Sequence, residues 1–469
     1  MAHKRFFLYG YTEGFIFSVN PGGGLADFQE NRILAKVKTW PLSILTIQCM
    51  KIALLTLGTR GDVQPYAVLG QALAQRGHQV TLSTARNFED LVRSHGIGFR
   101  PINADYEAIV NSEEGAKMLR ANLFAIRRNL RTMVYPLQSL QSFYELACES
   151  DRIIYRPKTL ADVFSDQFPD KVIKALVVPG TYPTKEFVNP AFSGFPVPAF
   201  LNKWSFGLNN LERWVSLLNE PVANFRKHNH LRLEYETAKA PFVYGISSHF
   251  LSKPLDLPDN HHFTGFWFNH NPQTLPAEIE GFLNAGEPPL VVTFGSMPFK
   301  SSLNLASLVQ EMSQRLKVRV ILVKGWGITT TPAVENDPNI LVIDSAPYDA
   351  LFPRVQAVVH HGGIGTTAQC LRAGKPMLVC PVLYPVGDQQ FWGDIALKKG
   401  VGVKPLPIEK ITPEGFVTSV AQLLYDDSLY ENSYRLAALL QEEDGVNTAL
   451  DLIEDEESAL YKTELHNHR

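Results

Sequence analysis

His360-His361-Gly362-Gly363-Ile364-Gly365-Thr366-Thr367 follows a short apolar run at 357–360 and opens an amphipathic stretch that reaches Arg372 and stops at Gly374. Strand, glycine turn and helix in that order make an anion-binding design. Glycines let the backbone approach a ligand, first-turn N–H groups point outward, and the helix dipole favours negative charge there. A diphosphate fits such a turn; His361 adds a donor and Thr366 a hydroxyl, which would stabilise a leaving diphosphate without a metal. The competing reading is a purely structural strand-to-helix turn. Neighbouring histidine side chains diverge and no Asp, Glu or Cys stands at ligand spacing, so no metal site is expected.

Working outward, apolar runs at 290–294, 320–324, 340–343 and 377–380 alternate with helical pattern and make the turn part of a parallel α/β series. Before it, residues 269–289 carry Asn271-Pro272, Pro276, Gly286 and Pro288-Pro289, which is linker chemistry. Further upstream a second βαβ series opens. It predicts a strand at 52–57, a tight turn at 58–62, a helix to Gln75 with Tyr66, Leu69 and Leu73 on its apolar face, a stop at Gly77 and a strand at 80–83. Runs at 175–178 and 243–246 read as further buried strands. The expected organisation is α/β: an extension at 1–49, a first Rossmann-like domain at 50–268, a linker at 269–289, a second Rossmann-like domain at 290–440 facing the first across a cleft, and a helical, peripheral tail at 441–469.

Three more segments carry chemistry. Gly58-Thr59-Arg60-Gly61-Asp62 lies at the carboxyl end of the first strand, where α/β folds place ligands. Asp62 there can take a proton from an attacking hydroxyl or cap the following helix. Asp388-Gln389 can hold the hydroxyls of a sugar ring or be solvated loop residues. In Phe294-Gly295-Ser296-Met297, Ser296 can donate to a phosphate or sugar oxygen, or simply end a strand.

With 44 Lys+Arg against 47 Asp+Glu the net charge is −3, so no field recruits a nucleic acid. The cysteines, 4 in all, are too sparse for a disulfide framework, and a reducing cytoplasm fits them. No apolar run reaches the ~18 residues of a membrane span. Residues 121–137 mix Phe124, Ile126, Leu130 and Val134 with Arg127, Arg128 and Arg131, which suits either a peripheral membrane contact or a basic helix with one buried face.

Together, Gly58 through Pro65, Thr264-Gly265-Phe266-Trp267-Phe268, Ala346-Pro347-Tyr348-Asp349, and His360 through Thr367 followed by Arg372-Ala373-Gly374-Lys375-Pro376 resemble the glycosyltransferase family with the GT-B fold that includes sterol glucosyltransferases and bacterial enzymes acting on macrolides and glycopeptides. The match runs from Met50 to about Ile453. The resemblance implies an inverting transfer with Asp62 as base and His361 on the donor diphosphate. It places Gly363, Gly365, Thr366 and Ser296 at the phosphates, with Thr59 joining from the other domain. Asp388 and Gln389 hold the donor sugar, and Ala346 lies in the 345–348 loop where the nucleotide base docks. Two features depart from the family: the loop 381–387 is longer than usual, and Ile364 and Gln369 stand where the plant branch carries a tryptophan and an acidic residue.

The expected function is UDP-dependent hexosyl transfer, with glucose as the expected donor sugar, to a hydroxyl of a lipophilic small molecule such as a sterol, with a nucleotide sugar as substrate and no cofactor. Alternatives are a natural-product enzyme using a UDP- or TDP-sugar, a nucleotide-sugar epimerase, and a non-catalytic sugar-nucleotide-binding protein.

Overall fold

The computed structural model describes residues 49–102, 137–209, 219–269, 273–295, 304–325 and 328–455. Ser296 and almost all of the basic stretch 121–137 lie outside them. Met1–Cys49 forms a unit separate from Met50–Arg469, and the second unit holds everything that follows.

Two parallel sheets organise it. The first has seven strands in the order β3-β2-β1-β4-β5-β6-β7: β1 Lys51–Leu55, β2 Gln79–Ala85, β3 Gly98–Ile102, β4 Arg152–Tyr155, β5 Val172–Leu176, β6 Phe242–Tyr244 and β7 His261–Phe263. The second has five in the order β10-β9-β8-β11-β12: β8 Leu290–Thr293, β9 Val320–Val323, β10 Ile340–Ile343, β11 Val358–His360 and β12 Met377–Val379. Each sheet reverses its winding once, between β1 and β4 and between β8 and β11. Such reversals open a crevice at the carboxyl ends of the strands, and both series put their chemistry there. The central strands are short apolar runs buried from end to end, because helices cover both faces of a parallel sheet.

Helix α1, Arg60–Gln75, begins inside the segment expected to be a turn, so Asp62 stands in its first turn. Its buried face includes Val63, Tyr66, Leu69 and Leu73. Leu137–Cys148 forms α2, and Ala277–Asn284 forms α3 within the proline-rich stretch between the sheets. In the second series α4 is Leu305–Leu316, α5 Ile364–Arg372, α6 Gln389–Lys398, α7 Pro413–Tyr425 and α8 Asp427–Gln441.

The acidic tail is not peripheral. Gly445–Glu454 forms α9, which crosses back to pack on α1 through a face that includes Val446, Ala449, Leu450 and Ile453. Arg76 at the end of α1 donates to Asp451 and Glu454 at 2.7 Å each, and His78 meets Glu454 at 2.9 Å. Aromatic contacts also join the lobes: Phe187 and Phe250 of the first meet Phe391 and Trp392 of α6 at 5.3 and 6.0 Å between ring centres.

Candidate functional site

In the first lobe, β1 runs into Thr56-Leu57-Gly58 and turns at once into α1. A Cβ on Gly58 would lie 1.8 Å from Asp62 Oδ2, so the turn closes this tightly only with glycine. Asp62 Oδ2 accepts the Thr59 N–H at 2.9 Å, which is the capping reading of this residue made visible. Its Oδ1 is ion-paired with the Arg156 guanidinium. Arg156 follows β4 directly, and its N–H donates to Leu55 O at 3.0 Å, so the strand pairing itself brings the cation beside the carboxylate. Thr59 is half-buried at the helix start.

In the second lobe, β11 delivers the paired histidines to different tasks. His360 is fully buried, its Nδ1 accepts the Gly362 N–H at 3.1 Å, and burial pushes its pKa down to about 3; it shapes the turn. His361 is the residue facing outward. Its ring lies between Gly295 and Gly363, and a Cβ on Gly363 would come within 2.4 Å of its Nε2. Burial pushes its pKa down to about 4, so it is neutral at pH 7, and its enclosed Nδ1 has no partner among the described residues. Gly363 caps α5, and the first intrahelical bond is Thr367 N–H to Gly363 O at 3.0 Å, which leaves the N–H groups of 364–366 without helical partners. Gly365 is exposed and nothing lies within 4 Å of where its Cβ would be, so the first turn is open on that side. Thr366 is half-buried beside it.

Asp388 caps α6 and spends one oxygen on Trp392 Nε1 at 3.0 Å. Gln389 is buried, and its Oε1 accepts the Val382 and Leu383 N–H groups at 2.7 and 2.8 Å. Its carbonyl therefore braces the long loop 381–387, and of the pair it is Asp388 whose second oxygen remains for a ligand. That loop reaches the first lobe: Gly387 N–H donates to Ala191 O at 2.9 Å. Half-buried Ala346 precedes Tyr348, whose hydroxyl bonds Thr293 Oγ1 at 2.7 Å and whose ring stacks on Phe352.

The two crevices face each other. Burial lowers the Arg156 pKa to about 10, and the Asp388 carboxylate of the opposite lobe works against that shift. Lys158 is exposed beside it, the Arg156 cation pushes its pKa down, and Asp388 again opposes. Arg60 of α1 likewise acts on Tyr348. Thus the Asp62–Arg156 pair and Lys158 of the first lobe lie within electrostatic reach of Asp388 in the second. The sequence reading missed Arg156 because β4 is four residues long and bracketed by arginines; the signal present was Ile153-Ile154-Tyr155 ahead of Pro157. Among the described residues no three His, Cys, Asp or Glu side chains converge as metal ligands.

Residues 52–150 match the glycosyltransferase family 28 N-terminal domain and residues 323–444 the erythromycin biosynthesis protein CIII-like C-terminal domain. A sterol 3-beta-glucosyltransferase of Arabidopsis thaliana is 31% identical over 87% of this chain and 68% of its own length. The O-mycaminosyltylonolide 6-deoxyallosyltransferase of Streptomyces fradiae is 30% identical over 87% of this chain and 97% of its own. Fungal sterol 3-beta-glucosyltransferases are longer, and the chain spans 32% of that from Aspergillus clavatus. The solved glycotransferase of kitacinnamycin shares the fold, with a TM-score of 0.63 at 18% identity over 87% of this chain and 99% of that one.

Proposed function

Because this chain belongs to the GT-B glycosyltransferase family that holds the sterol 3-beta-glucosyltransferases and the macrolide glycosyltransferases, we propose that it moves glucose from UDP-glucose to the hydroxyl of a sterol-like lipophilic alcohol. Asp62 takes the proton of the acceptor hydroxyl as that oxygen bonds to the anomeric carbon. The bond from that carbon to the diphosphate breaks on the opposite face, and the electron pair leaves with the diphosphate, so configuration inverts. The leaving charge is met by the N–H groups of 364–366, the Thr366 hydroxyl and His361, with Thr59 and Ser296 at the same phosphates and Ala346 at the nucleotide base. Asp388 holds donor-sugar hydroxyls.

The observation that carries this reading is the cross-cleft chain from Asp388 to Arg156 to Asp62, together with a ring nitrogen on His361 that has no partner among the described residues. An uncharged histidine and unpaired amides suit an arriving dianion, which returns the stabilisation that burial withheld from the protonated ring. Two relatives supply the acceptor class by name, a sterol and a tylonolide. A second reading, transfer to a macrolide-like alcohol, is favoured by the 30% identity to the tylonolide enzyme over 87% of this chain.

Offering UDP-glucose and TDP-sugars against sterols, carotenoid alcohols and macrolides, with products weighed by mass spectrometry, separates the two. A sterol glucoside is the expected product; a macrolide glycoside alone overturns the sterol assignment, and donor conversion without acceptor overturns transfer. No helix among the described residues is long and apolar enough to cross a membrane. Contact with a membrane surface is proposed as peripheral and cytoplasmic, for reaching a lipophilic acceptor.

A further inference from the structure

Asp62 is an unusual base in that both its oxygens are already engaged. Oδ2 takes the Thr59 N–H and Oδ1 faces Arg156. Neither partner is adjustable. Thr59 is fixed by the closed glycine turn, and Arg156 is anchored by the β1–β4 pairing, its side chain only 8% exposed. Burying a guanidinium costs several kcal/mol unless it is paired, and Asp62 supplies the partner. The other charged groups around the pair are Arg60, two residues before Asp62 on its own helix, and Lys158 and Asp388, which interact electrostatically with Arg156.

We propose that Arg156 is a positioning residue for the transfer: it fixes the rotamer of Asp62 and holds a cation beside the carboxylate, so that the lone pairs left over point at the incoming hydroxyl. The proposal rests on Asp62 being the base. A carboxylate with an N–H bonded to one oxygen and a guanidinium cation paired with the other is oriented as well as charged, because turning it would break the bond and separate the charges. The cation also weakens the base. It opposes proton arrival on Oδ1 and broadens the acidic range over which the enzyme stays competent. Lys158 cannot substitute, since its own charge is disfavoured by Arg156.

The test is the pH dependence of kcat/KM for the acceptor. Arg156→Gln is expected to move the acidic limb up by about one to three units, the range an adjacent cation imposes on a carboxylate, and to lower kcat with the donor KM unchanged. Arg156→Lys keeps the charge without the fork, so the limb stays near that of the unaltered enzyme while kcat remains reduced. A limb unmoved in Arg156→Gln overturns the proposal. Should that variant fail to fold, the Asp62 carboxyl carbon signal in the unaltered protein decides: a titration midpoint below ~3.9 is expected, and one above it overturns the idea. Failure of the base reading looks different, as Asp62→Asn would then keep full turnover whatever Arg156 does.

Discussion

The crevices at the two sheet reversals are built alike and equipped differently. At β1 and β4 the first lobe places a carboxylate ion-paired with a guanidinium. At β8 and β11 the second lobe places a neutral histidine, a glycine-rich turn and helix N–H groups with no helical partner. One crevice pairs its formal charges within itself; the other brings the Asp388 carboxylate and otherwise offers neutral donors left open. A site that must move a proton needs an ionised group held ready. A site that must receive a dianion works best when dipoles are fixed and water is already displaced. The division of labour in the proposed transfer follows from that difference.

The largest expected effect breaks the first crevice. Asp62→Asn retains the cap acceptor and the shape, yet removes the base, and turnover should fall by about 100- to 10,000-fold with donor affinity kept, as measured by steady-state kinetics and UDP titration. Next comes the second crevice. His361→Ala should cost about 100- to 1,000-fold in kcat and weaken UDP binding as well. It should also abolish a proton signature. Free His361 has its pKa at about 4, and a bound diphosphate raises it, so UDP binding near pH 6 takes up protons in the unaltered protein and not in the variant. Calorimetry in buffers of different ionisation enthalpy reads this, and equal heats in both proteins would remove His361 from the phosphates.

Both crevices were legible in unequal parts. The second announced itself, since glycines, histidines and threonines sit in one contiguous stretch between an apolar run and a helix. The first is split between β1 and β4, a hundred residues apart in the chain, and only the strand pairing unites Asp62 with Arg156. Short buried strands interrupted by polar residues, β4 with its flanking arginines and β7 with His261-His262, escape periodicity because four or fewer residues hold no period. Asp62 read ambiguously as cap or base; the structure gives it the cap bond on one oxygen and an ion pair on the other. Gln389 read as a sugar ligand from its neighbour, whereas its carbonyl is committed to the loop 381–387, a commitment that depends on tertiary placement. The tail read as peripheral because its buried face is only as long as α9.

That tail decides whether the two crevices stay opposed. Helix α9 is connected to the second lobe and clasped to α1, whose first turn holds Asp62, so Arg76→Ala should lower kcat/KM by up to about tenfold and destabilise by about 1–3 kcal/mol while UDP affinity is kept. Burial raises the pKa of Glu454, but its bonds to His78 and Arg76 outweigh that, and the net shift is downward. The folded protein therefore holds fewer protons at this carboxylate than the unfolded one. Its contribution is present above the ordinary glutamate value and is lost as pH falls through the depressed one. Thermal melts of Glu454→Gln should accordingly differ most from the unaltered protein near neutrality and converge in acid; a constant gap across pH would remove the clasp's charge from the account.

The smallest expected effect sharpens the boundary of the anion-receiving crevice. Tyr348 ties the 345–348 loop to the end of β8 through Thr293 Oγ1, which also accepts the Gly295 N–H at 3.2 Å. In Tyr348→Phe, Thr293 still has that second bond, so no polar group is orphaned and the cost should be only about 0.5–1.5 kcal/mol. If the loop serves the nucleotide alone, this loss appears in donor KM, changed by less than about tenfold, while the acidic limb set by Asp62 stays where it was. A displaced acidic limb would mean that Arg60, which acts on Tyr348 across the cleft, couples the two crevices electrostatically. The two crevices would then be one titrating unit rather than two.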